Sequence, residues 1–150
     1  GDVAKSLLIA LNLLALTSAN LLNTLIASRV KRHRLLMVTV FVFCAAIVLL
    51  SRATELSFLF AAAALMGLAN GFTYPTLMGM SIEGVEQGRR SSAMGIHQSV
   101  YAIGMFAGPW LGGILADAFG IRPMFVAVAV FIVTVNYILL AAWVKLVHRR

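Results

Sequence analysis

The stretch SSAMGIHQSVYAIGMFAGPWLGGILADAF, residues 91–119, decides the fold. Its one formal charge is Asp117, and it exceeds the roughly 20 apolar residues that cross a bilayer core. Backbone groups in lipid must be paired within a helix or a closed barrel. A barrel strand alternates apolar and polar over about ten residues; this run is longer and does not alternate, so it is a helix. Gly104, Gly108 and Gly112 stand four apart, on nearly one helical face, and make a smooth groove. Gly95 and Gly113 extend the pattern, and Pro109 removes a backbone donor inside it and bends the helix there.

Four further runs behave alike. Spans are expected at 5–28, 35–51, 56–82, 91–119 and 123–146. The second is the shortest, and Arg34 and Arg52 reach the two interfaces by snorkelling. Ser91 and Ser92 are expected N-caps of the fourth helix, Gly120 its end, and Pro123 suits the first turn of the fifth. The short connectors make consecutive helices antiparallel neighbours. Composition agrees: 61% hydrophobic, 11% charged, mean hydropathy +0.97, against about 25% charged in a soluble domain. The net charge of +7 would point to nucleic acid in a soluble protein. Here the basic residues flank spans, so the expected partner is the lipid bilayer and not nucleic acid. A single cysteine, Cys44, excludes an internal disulfide. It is read as a small core or lipid-facing residue. The chain opens on Gly1 and enters its first apolar run at once, which reads as a piece of a longer polypeptide.

Lysine and arginine set the orientation. Arg29, Lys31, Arg32, Arg34, Arg89, Arg90, Lys145, Arg149 and Arg150 fall on one side; Lys5, Arg52 and Arg122 fall on the other. The richer side is expected in the cytoplasm, with the N-terminus outside, in an inner or plasma membrane. This alternation requires all five segments to span.

The third span carries a second small-residue stripe, Gly67, Gly71, Pro75 and Gly79. Two glycine-lined neighbours allow sliding or rocking; static helix packing explains the same residues. The string Gly95…Gly104…Gly108-Pro109…Gly112-Gly113 resembles the antiporter motif of the major facilitator superfamily at each fixed position. Residues 67–75 (GLANGFTYP), 87–95 (QGRRSSAMG) and 112–122 (GGILADAFGIR) are similar to that family's tenth helix, the following loop, the eleventh helix and the turn into the last. The resemblance covers nearly the whole chain. The basic loop Ser28-Arg29-Val30-Lys31-Arg32-His33-Arg34 departs from the family's signature: Ser28 replaces an aspartate and Lys31 a glycine. That degeneracy, and a third helix without arginine, match helices eight to twelve; the complete glycine motif, described for the fifth helix, would match helices two to six. The resemblance implies an all-α integral membrane protein whose five transmembrane helices form most of one bundle. It implies secondary transport of a small-molecule substrate by alternating access, ion-coupled as proton symport or antiport. It also implies a missing N-terminal half, in the same polypeptide or a partner chain. A non-transporting membrane scaffold or subunit is the alternative.

Ionisable groups in spans are costly and often functional. His97 lies about two turns into the fourth helix and could carry a coupling proton; bonding to backbone or snorkelling are the plain alternatives. Gln98 and Tyr101 are placed with it around a polar cavity, together with Asn70 and Tyr74 of the third helix and Asn20 of the first. Asn20 and Asn23 share a face. Glu83 and Glu86 are expected to face Arg89 and Arg90 in one loop, and Asp117 and Arg122, which flank the outer turn, to form a local ion pair or a helix-end hydrogen bond. No phosphate-binding loop, His-Glu-x-x-His or Cys/His cluster is present, so no enzyme chemistry, cofactor or metal is indicated.

Overall fold

A computed structural model describes residues 1–26 and 29–147. It contains five helices: α1 Asp2–Ile26, α2 Arg32–Arg52, α3 Leu56–Ser81, α4 Arg90–Phe119 and α5 Ile121–Val147. A single 3-10 turn, Gln87–Arg89, leads into α4. All five helices are long and apolar enough to cross a membrane, so the all-α five-span reading holds.

The ends differ from the expected bounds. The shortest expected span, 35–51, becomes the 21-residue α2, which takes in Arg32, Arg34 and Arg52. Long basic side chains lay their stems on apolar surface and keep their charge outside, so terminal turns tolerate them. Ser28, Arg149 and Arg150 lie outside the described residues. Ser91 and Ser92 do not cap α4: the helix starts at Arg90, with Arg89 in the cap position and no side-chain cap bond. The preceding 3-10 turn already feeds the chain into helical geometry and moves both serines inside. Gly120 ends α4 as expected, at φ 86°, with its N–H on the Ala116 carbonyl at 2.8 Å. A residue with a Cβ rarely adopts that φ.

The helices form an uneven bundle in which α3 packs against both α1 and α2, while α2 also packs against α5. The α1–α3 seam is the closest. A Cβ on Gly67 would collide with the Asn12 carbonyl oxygen and lie 2.9 Å from Ala15 Cβ. One on Gly71 would collide with the Leu16 carbonyl and lie 2.6 Å from Ala19 Cβ. Lipid gives helices no hydrophobic reason to associate, so small residues that let backbones meet are what hold them. Asn12 adds a hydrogen bond from Nδ2 to the Ala63 carbonyl, 2.8 Å long. Asn12→Ala is expected to cost about 0.6–2 kcal/mol, typical of interhelical bonds in membranes. Thermal unfolding in detergent checks this.

Between α2 and α3, Thr73 donates to Thr39 at 2.9 Å, and Thr39 donates onward to the Leu36 carbonyl at 3.1 Å. The α2–α5 seam is apolar, built on Cys44, Ile47 and Ala129 with Phe43, Phe125 and Ile132 around them. Cys44 is therefore a core residue, its thiol directed at the Ala129 carbonyl at 3.6 Å. By contrast α4 has no buried residue, and Phe106 is 81% exposed.

Candidate functional site

Two features of the bundle can do more than hold it together: the glycine face of α4 and a polar cluster where α4 meets α3.

The glycine stripes of α3 and α4 do not interlock. Gly67 and Gly71 of α3 face α1, as above. Gly95, Gly104, Gly108, Gly112 and Gly113 of α4 have nothing within 4 Å of an added Cβ. Both Pro75 and Pro109 sit inside their helices, and each removes one intrahelical hydrogen bond. No other element comes close to α4's glycines among the described residues, which leaves their face of the helix open.

The polar cluster gathers Tyr74 and Ser81 of α3 with His97, Gln98 and Tyr101 of α4. His97 Nδ1 and Ser81 Oγ are 2.8 Å apart. Gln98 Nε2 donates to the Tyr74 hydroxyl at 2.8 Å. The Tyr74 ring lies 5.2 Å from that of Tyr101 and 6.3 Å from that of His97, between centroids. The antiparallel hairpin explains the register: Ser81 ends α3 and His97 lies two turns into α4, so both sit at the end carrying the basic loops. Ser81 was not singled out from sequence; a hydroxyl at a helix end facing a histidine across a short hairpin was the available signal.

Of the other expected site residues, Asn70 lies one turn from Tyr74 on α3, its side chain exposed and making no hydrogen bond. Asn20 is half-buried on α1, whose seam is with α3, away from the cluster. Its neighbour on that face, Asn23, is buried with Oδ1 unpaired.

The loop charges pair differently from expectation. Glu83 meets Arg32 of α2 at 3.8 Å, not Arg89 or Arg90; Arg90 instead donates to the Val85 carbonyl at 3.2 Å. The turn at Gly84, φ 75°, separates Glu83 from the residues after it, while the Arg32 guanidinium already lies over Gly79, 3.0 Å from where its Cβ would be. Asp117 and Arg122 form no ion pair in the described residues. Arg29, Lys31, Arg32 and Arg34 occupy the loop and the start of α2, the helix end that disfavours positive charge; helix stability therefore does not explain them. The Arg32 and Glu83 side chains are 40% and 54% exposed, and such pairs contribute about 0–1 kcal/mol. Glu83→Gln is expected to change stability within that range, and by less in high salt, which melting curves at two salt concentrations check.

The Major Facilitator Superfamily model matches residues 2–150, nearly the entire chain. No curated protein and no solved structure matches it. Five apolar helices, together with that match, make this a multi-pass membrane protein of a family that transports small molecules. The chain belongs to the major facilitator superfamily.

Proposed function

We propose that this chain supplies most of one bundle of a secondary transporter that works by alternating access and is coupled to protons. The observation that carries the reading is the contrast between its two helix seams. The α1–α3 seam is interlocked backbone to backbone at Gly67 and Gly71, whereas the named contacts joining α3 to α4 are polar and aromatic, around His97. Transporters of this architecture rock one bundle against another around a midplane site. A rigid pair beside a lightly held helix with an empty glycine groove suits that motion. The groove would receive helices of the remaining half, in the same polypeptide or a partner chain.

The degenerate basic loop and the arginine-free α3 favour helices eight to twelve. The nine-to-three charge bias favours an N-terminus outside and a cytoplasmic C-terminus in an inner or plasma membrane. His97 is the coupling candidate, an ionisable side chain within a span whose buried Nε2 has no partner. The test uses the full-length protein in proteoliposomes holding a pH-sensitive dye, challenged with pooled small metabolites. At least one pool is expected to move protons, and His97→Gln to remove that movement. Solute uptake with no proton movement would contradict the coupling; no uptake of any pool would contradict transport.

A further inference from the structure

Ser81 has one hydroxyl hydrogen and two acceptors in reach: the Leu77 carbonyl at 2.9 Å and His97 Nδ1 at 2.8 Å. Most helical hydroxyls of the chain bond to a carbonyl one turn back, as Ser6, Thr17, Thr76, Ser99 and Thr134 do, Thr73 being an exception. Ser81 therefore gives its hydrogen to Leu77, and Nδ1–H donates to Ser81. Neutral His97 is left with a lone pair on Nε2. That atom is buried and has no partner, so it is an empty proton site. A proton taken there creates a buried N–H with nothing to accept it.

The surrounding groups do not supply an acceptor; they add donors. The Tyr74 oxygen accepts from Gln98, so its own hydrogen is free to donate. Tyr101 is 46% exposed and its hydroxyl makes no hydrogen bond. The Tyr74 ring of α3 lies 6.3 Å from that of His97, and Tyr101 of α4 packs against Tyr74 at 5.2 Å; among the described residues no carboxylate forms an ion pair with His97. Glu83, two residues beyond Ser81, is engaged by Arg32.

We infer that this cluster binds a small organic anion together with a proton: His97 Nε2–H and the Tyr74 and Tyr101 hydroxyls donate to a carboxylate. The inference rests on the transport reading and names the ligand class of that site. The proton comes from water and ends on Nε2, no covalent bond changes, and proton plus anion leave the site neutral. Uncompensated charge within a span is expensive, so neither binds well alone. Because Nε2 is sealed, the anion enters when α4 shifts on α3, which couples binding to movement of the weaker seam.

The test measures thermal stability of the full-length protein in detergent at pH 6 and pH 8. The probes are lactate and benzoate, their amides lactamide and benzamide, and benzylamine. A carboxylate is expected to raise the melting temperature more at pH 6 than at pH 8, because each anion bound takes up one proton. The amides and the amine should do nothing. His97→Gln should abolish the shift and its pH dependence. If that variant does not fold, Tyr101→Phe, which removes an exposed unpaired hydroxyl, should still weaken the shift. Stabilisation by benzylamine or an amide, or by no carboxylate at either pH, overturns the anion site. Uptake of the stabilising compound into proteoliposomes separates the two proposals: stabilisation without uptake keeps the site and removes transport, and uptake of a non-anion does the reverse.

Discussion

Replacing Gly71 with alanine is expected to lower the melting temperature, and replacing it with leucine to prevent a stable bundle. Alanine gains about 0.8–1.0 kcal/mol over glycine in a helix interior. Against that, its Cβ would meet the Leu16 carbonyl oxygen and lie 2.6 Å from Ala19 Cβ. Neither neighbour can rotate away, since one is backbone and the other a methyl on a fully buried residue. The helices must separate, which also weakens the Asn12–Ala63 bond one turn further along. Overpacking costs about 1–3 kcal/mol, so the clash outweighs the propensity gain by about 0–2 kcal/mol. That corresponds to a fall of up to several degrees. Leucine adds three more carbons in the same place. Gly67→Ala should behave like Gly71→Ala, with contacts to Asn12 and Ala15 instead.

The same substitutions on α4 are expected to give the opposite pattern. A Cβ added at Gly108, which alanine and leucine share, meets nothing within 4 Å among the described residues. Five-helix packing therefore does not oppose them, and helix propensity favours them by about 1 kcal/mol. Melting temperature should hold or rise slightly. Transport should nonetheless fall for leucine, because the groove is proposed to receive the other half of the transporter during its cycle. An overpacking penalty of about 1–3 kcal/mol in one conformation and not the other shifts their balance by roughly fivefold or more. Uptake by proteoliposomes, set beside melting curves of the same preparations, checks this. A leucine variant that melts early and transports normally would mean that Gly108 is a static packing residue.

Much of this fold is written in hydropathy alone. Five apolar runs broken by Arg29–Arg34, Arg52, the 83–90 loop and Gly120 leave few other ways to fold in lipid, and the helices follow them to within a few residues. The ends were less readable because arginine is tolerated in terminal turns, and because a 3-10 turn at Gln87–Arg89 made the serine caps unnecessary. Stride-four glycines announce close contact but not with whom: Gly67 and Gly71 turned out to face α1, and α4's glycines face open space. The His97 cluster was partly readable. Tyr74, His97, Gln98 and Tyr101 share a hairpin, so a common face brings them together. Ser81 and the unpaired Nε2 depend on helix rotation, which no periodicity fixes. Asn70 and Asn20 lay one turn and one helix away, distances that sequence spacing does not resolve. The Arg32–Glu83 pair joins the first residue of α2 to the turn after α3, 51 residues apart in sequence, beyond any local pattern.

The central claim is that α4 presents a moving face while the α1–α3 pair stays fixed. In a Cys44→Ser background of the full-length protein, single cysteines at Gly108 and at fully buried Ala62 are reacted with a water-soluble maleimide at one fixed pH, with and without benzoate, because thiol reactivity itself varies with pH. The Gly108→Cys rate is expected to change when benzoate is added, and Ala62→Cys to stay unreactive in both conditions. A Gly108→Cys protein that reacts at the same rate in both conditions, or that is as silent as Ala62→Cys, would contradict a moving α4.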